Sequence, residues 1–215
     1  MWTTSAPTEK CTCSSRRPTG NLATTQEVFD RVNRDLADPG APESLATVGH
    51  LFKAALCLGR LSRAVAASHR EALAQVGADG TATFPLGGEI RGGPPDILLV
   101  YPEGNYIRAS DDRPFLQIGE SKYGKSTLEL GVAAHVDLAT AAKLALTSMA
   151  STAGSNLSVG PPYDMVIFRA GSFQPFEARI NADSPFRDRL EAVWARHLFD
   201  AIAELPAVEE GDLEI

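Results

Sequence analysis

The sequence predicts an α+β fold in which helices lie over antiparallel sheets. Three observations carry that prediction. The elements come in the order two helices, a run of short strands, two helices, two strands and a final helix. The apolar period switches from helical to two near Gly80 and back again after Ser121. Ile97-Leu98-Leu99-Val100 is apolar on both faces, as a strand held between two layers must be.

Each element follows from local pattern. Val28, Phe29, Val32 and Leu36 recur at helical spacing from Thr24 to about Leu36, and Asp38-Pro39-Gly40 stops that helix. A longer helix is expected after Ser44, with Leu45, Val48, Phe52, Ala55, Leu56 and Gly59 on one face, ending near Gly77. Short strands are expected at Thr81–Leu86, Glu89–Arg91, Asp96–Tyr101 and Asn105–Ala109. Gly87-Gly88, Gly92-Gly93-Pro94-Pro95 and Pro102-Glu103-Gly104 form the turns between them. Phe115–Ile118 reads as a further strand, Gly119-Glu120-Ser121 as a turn, and a helix starts near Tyr123. The next helix, Leu138 to about Thr152, is rich in alanine (Ala139, Ala141, Ala142, Ala145, Ala150), which suits close packing on a neighbour. Asp164–Arg169 and Phe176–Ile180 are strands. Ser184-Pro185 opens a last helix, whose stripe of Phe186, Leu190, Val193, Trp194, His197, Leu198 and Ala201 is expected to be buried. Glu209–Ile215 reads as a solvated acidic tail.

Bulk composition narrows the function classes. The 215 residues are 44% hydrophobic and 22% charged, enough for one domain with a real core. A net charge of −7 with scattered basic residues argues against nucleic acid. No apolar run reaches the roughly 20 residues that span a bilayer, so no membrane partner is expected. The start has no basic region leading into an apolar stretch, and three cysteines make no disulfide framework, which together favour a reducing cytoplasm. Cys57 reads as a core thiol. Cys11 and Cys13 lack a second pair or a nearby His, so no metal is expected. His50, His69, His135 and His197 share no ligand spacing. G-x-S-x-G is absent, and Gly124-Lys125-Ser126 lacks the upstream glycine of a phosphate loop, so no cofactor is expected. Asp111-Asp112 and Glu209-Glu210 read as solvated faces.

Four blocks are more specific than any periodicity: Gly20-Asn21-Leu22-Ala23-Thr24-Thr25-Gln26, Tyr101-Pro102-Glu103-Gly104-Asn105-Tyr106-Ile107, Pro114 through Lys125, and Ser155-Asn156-Leu157-Ser158-Val159-Gly160-Pro161-Pro162-Tyr163-Asp164. In this order and spacing they resemble the ancestral bacterial proteasome-like peptidases of the Anbu type, from about Thr19 to about Ala207. The resemblance implies a four-layer αββα sandwich of the proteasome β-subunit kind, lacking its first strands here. It implies peptide-bond hydrolysis by an N-terminal threonine whose own amine is the base, helped by an aspartate and a lysine. It further implies peptide or unfolded-protein substrates and self-association into a ring or an open-helical homo-oligomer.

By the same resemblance, Ser121 stands for the auxiliary serine near the nucleophile's amine and Ser158 for a second helper. Ser155 falls where the family holds an acidic residue. On residue chemistry alone each is a turn or cap hydroxyl. The family's nucleophilic threonine, aspartate and lysine have no counterpart here, and Met1-Trp2 resembles the stretch just after that lysine. Thr3 and Thr4 are not candidates, since removing Met1 would expose Trp2. The segment 1–18 is thus expected to be aberrant or divergent, 19–207 an incomplete peptidase domain and 208–215 the tail. Cys11 through Pro18 is too polar for a central strand, which suggests a reading-frame error resolving near Thr19. As given, the chain is expected to be an inactive threonine-peptidase subunit. The alternatives are a non-catalytic structural subunit, or a product whose exposed sheet edges lead to aggregation.

Overall fold

The computed structural model of the protein describes residues 11–14, 19–132 and 136–208, with backbone alone for 11–14 and 19. Thr3, Thr4, His135 and the tail from Glu209 lie outside the described residues. Five strands form an antiparallel sheet: β1 (Cys11–Ser14), β2 (Thr19–Gly20), β3 (Ala82–Ile90), β4 (Asp96–Val100) and β5 (Tyr106–Arg108). β3 pairs with β1, β2 and β4, and β4 pairs in turn with β5. Among the described strands the polar segment from Cys11 is therefore an outer one, with Cys11 opposite Ile90 and Ser14 opposite Gly87.

Helices α1 (Leu22–Ala37) and α2 (Leu51–Gln75) cover one face of this sheet. Alternation along the strands sends Ala82, Phe84, Leu86, Leu98 and Val100 to that face, where they meet Val28, Val32, Ala54, Ala55, Leu58 and Val65. Phe84 is fully buried and packs edge-to-face on Phe29, centroids 5.9 Å apart. Burying such a side chain is worth about 2–3 kcal/mol.

Two of the distinctive sequence blocks have plain structural reasons here. Gly20 has φ +122, and a Cβ there would sit 2.2 Å from the Thr81 carbonyl oxygen, so only glycine fits. Asn21 then caps α1, its Oδ1 accepting from Thr24 N–H at 3.1 Å while its Nδ2 donates to the Asp79 carbonyl at 3.0 Å. In the second block Gly104 has φ +85 and donates to the Tyr101 carbonyl at 2.9 Å, closing the β4–β5 turn. That turn lies against Gly59 of α2, where a Cβ would meet the Gly104 oxygen at 2.4 Å.

Downstream come α3 (Lys125–Gly131), α4 (Leu138–Ser155), the antiparallel pair β6 (Tyr163–Phe168) and β7 (Pro175–Ile180), and α5 (Pro185–Ala203). Leu146, Tyr163 and Ile180 form a smaller core with Ala153, Met165 and Leu190. The two sheets are tied by Glu89 of β3, whose Oε2 accepts from the Gly171 N–H at 2.7 Å. Beside it the Arg91 guanidinium lies 5.1 Å from the Phe173 ring centroid. A cavity of about 600 Å³ separates Pro85, Gly87 and Ile97 from Val166, Phe168 and Pro175.

Several expectations change. Gly87-Gly88 is no turn: β3 runs through it, because Ile97 and Asp96 pair with these residues from β4 and Ser14 and Cys13 from β1. Phe115–Ile118 is irregular and half-buried, having no strand among the described residues to pair with. The second helix begins at Leu51, not after Ser44. Ser44 instead makes a turn, accepting from Ala46 N–H through its hydroxyl at 3.2 Å and from Thr47 N–H through its carbonyl at 3.1 Å. The helix does end as expected, with Gly77 at φ +65 and Ala78 N–H donating to the Leu73 carbonyl. The stripe of α5 is not buried: only Leu190 reaches the smaller core, while Phe186, Val193 and Leu198 are 43–47% exposed and His197 is also exposed. The two strands described in that sheet are too narrow to cover the stripe.

Candidate functional site

The turn from Gly119 to Lys122 and the segment after α4 are 36 residues apart in sequence and meet in space. Gly119, at φ +77, bends the chain so that Glu120 points back towards α4. Glu120 Oε1 accepts from Lys122 N–H at 2.9 Å, and Oε2 accepts from Asn156 Nδ2 at 3.3 Å. Asn156 is the C-cap of α4, its N–H donating to the Thr152 carbonyl. Its Oδ1 accepts twice, from Ser158 N–H at 2.9 Å and from the Ser158 hydroxyl at 2.7 Å. A carboxylate, an amide and a hydroxyl thus form one chain of hydrogen bonds across two loops.

The packing behind this chain fixes the two loops. Ser148 Oγ donates to the Gly124 carbonyl at 2.8 Å, and Thr152 Oγ1 donates to the Ser148 carbonyl at 2.8 Å, all of it buried. A Cβ on Gly124 would lie 2.3 Å from Ser148 Oγ. The close approach of α3 to α4 therefore rests on Gly124, Ser148 and Thr152. After Ser158 the cis Pro161-Pro162 bond leads directly into β6.

Of the three candidate serines, Ser158 is in the chain of hydrogen bonds and Ser121 directly follows Glu120. Ser155 ends α4, one residue before Asn156. All three are exposed, and Ser121 and Ser155 form no side-chain hydrogen bond among the described residues. Glu120 and Asn156 were not singled out from sequence. Asn156 could have been: an Asn two residues before a Ser is the pattern of an Asx-turn.

The site can order a hydroxyl but, among the described residues, brings no base to a nucleophile. Because the Ser158 proton is committed to Asn156, its oxygen presents lone pairs outward, the right polarity to accept from an ammonium or amide N–H. His69 pairs instead with Glu27 at 2.7 Å, far from this site in sequence, and His197 lies 3.8 Å from Asp200. Hydrogen bonds from His69 and Arg31 hold the Glu27 carboxyl below its ordinary range. No group of three His, Cys, Asp or Glu among the described residues could hold a metal ion. No helix among them is long and apolar enough to cross a membrane.

No family model and no curated protein matches the chain. Solved structures do. Anbu (ancestral β-subunit) from Yersinia bercovieri is 35% identical, with 93% of this chain and 82% of that one covered at a TM-score of 0.86. A helical assembly of the Anbu complex from Pseudomonas aeruginosa is 34% identical, covering 94% and 83% at a TM-score of 0.87. Anbu from Hyphomicrobium sp. strain MC1 is 35% identical, covering 93% and 82% at a TM-score of 0.82.

Proposed function

The chain belongs to the Anbu family of ancestral β-subunits, and from that premise we propose that it is a subunit of a proteasome-like assembly whose chemistry is threonine-type peptide hydrolysis. The domain is 19–207, with helix, sheet, sheet and helix as its four layers. The observation that carries the reading is the meeting of Glu120, Asn156 and Ser158 from the two blocks expected to border the reactive centre. Ser121, Ser155 and Ser158 then flank the place of a threonine amine, with Ser158 accepting from it. The threonine, aspartate and lysine belong to the family's opening strands, and the described residues by themselves bring no base to a nucleophile. The substrate is peptide or unfolded protein. Like the helical assembly from Pseudomonas aeruginosa, the chain self-associates into a ring or open helix. The cytoplasm suits its free Cys57.

The test uses a fluorogenic peptide and a hydroxyl-reactive β-lactone read by intact mass. The 215-residue chain should give neither turnover nor added mass. A fusion placing a threonine-led strand pair from a related Anbu chain ahead of it should give both. Turnover by the unfused chain overturns the placing of the nucleophile on those strands, and an inert fusion overturns the peptidase chemistry.

A second reading, a non-catalytic structural subunit, is favoured by Ser155 standing where an acid is expected. A fusion that assembles without turning over peptide would select it.

A further inference from the structure

On the outer side of α2 lies a groove of about 560 Å³. Arg60, Arg63 and Arg70 rise from its α2 wall over a floor of Ala64, Ala66 and Ala67, and Pro102 and Glu103 of the β4–β5 turn form the other wall. At these spacings the three arginines share one helix face. The stem of Arg63 is laid on the turn, its Cδ 2.6 Å from where a Gly104 Cβ would stand. Arg60 is paired with Glu43. Arg63 and Arg70 have no ion-pair partner among the described residues. Glu103 is the acid in the groove wall, so the excess of charge there is positive in a chain of net charge −7.

We propose that this groove receives residues 209–215 of a second copy of the chain. Glu209, Glu210, Asp212 and Glu214 put four acidic side chains in seven residues, the complement of guanidiniums that lack partners. Leu213 and Ile215 give the segment apolar side chains for the alanine floor. The occupant comes from another copy because of reach. Seven extended residues span at most about 25 Å. They start beyond α5, which packs with α4, whereas α2 packs on β3 and β4. In the layered arrangement proposed above, two sheets about 10 Å apart and a helix about 10 Å thick on each side lie between start and groove. The contact gives the proposed self-association one specific joint and rests on that reading only for its setting.

A fluorescein-labelled peptide of residues 205–215 tests it by anisotropy. The receptor is the full chain with its own tail neutralised (E209Q, E210Q, D212N, E214Q), so that the groove is free. Saturable binding is expected, weakening as salt rises. It should be about tenfold or more weaker with R63E/R70E added to the receptor, or with the same four acids neutralised in the peptide. R63Q/R70Q, with circular dichroism to confirm the fold, guards against damage from charge reversal. No binding, or equal binding by both receptors or both peptides, overturns the proposal. Sedimentation reads self-association separately: a chain that assembles equally well as R63E/R70E keeps the family reading and loses this joint. Tail-neutral and R63E/R70E chains that associate only when mixed support it, since an intramolecular tail would not respond to mixing.

Discussion

One oxygen of Asn156 holds both the N–H and the hydroxyl of Ser158, and its nitrogen reaches Glu120, so three groups depend on a single side chain. Asn156→Ala should lower stability by about 0.5–1.5 kcal/mol, limited because water can replace bonds this exposed. Ser158→Ala, which removes only the hydroxyl, should cost less; urea unfolding of both variants gives the comparison. Cys57 makes a second residue-scale case. Its thiol, 3% exposed, is pushed up to about 11, chiefly by burial and then by the Glu43 carboxylate. The folded thiol should resist alkylation near pH 8 until denaturant is added. In the unfolded chain the thiol ionises near its ordinary 9.0, before the folded one does. Stability from this group is therefore complete below pH 9 and is lost as pH rises towards about 11. Cys57→Ala should flatten that alkaline decline. The core role of Cys57 was legible from its apolar helical neighbours. The serines were legible only through resemblance, and their hydrogen-bond partners waited for the two loops to be seen together.

Among elements, the seating of α3 against α4 depends on Gly124. A Cβ there would meet Ser148 Oγ at 2.3 Å and both the Ser148 carbonyl and Thr152 Oγ1 at 2.7 Å. Gly124→Ala should cost about 1–3 kcal/mol, read as a fall in Tm. Gly154, inside α4 with nothing near its would-be Cβ, is the control, and Gly154→Ala should stabilise by up to about 1 kcal/mol. Element boundaries were legible where local chemistry sets them: Gly77 ends α2, and Ser184-Pro185 opens α5. They were not where distant pairing decides. Nothing local in Gly87-Gly88 announces that Ser14 and Ile97 will hold it straight, and nothing in Phe115–Ile118 announces that no described strand will pair with it. The last helix misled for a related reason. An apolar stripe signals that something covers it, and on α5 the stripe residues Phe186, Val193 and Leu198 are 43–47% exposed.

For the whole molecule, the order of helices and strands from α1 onwards was readable from period, save for the strand expected at Phe115–Ile118, but the unequal cores were not. The larger core gathers α1, α2, β3 and β4, while the smaller rests on Leu146, Tyr163 and Ile180. What joins the two is in part the bond from Glu89 to Gly171. Glu89→Ala should cost about 1–3 kcal/mol, and hydrogen exchange at the Gly171 amide should accelerate more than at amides in β4. That bond also closes 82 residues of chain, whereas β3 with β4 and β6 with β7 are each neighbours in sequence. Closing so long a loop carries an entropic cost before it returns any contact, which places this bond after the rate-limiting step of folding. Removing the carboxylate should then leave the refolding rate nearly unchanged and quicken unfolding, so that its whole effect falls on one arm of the chevron.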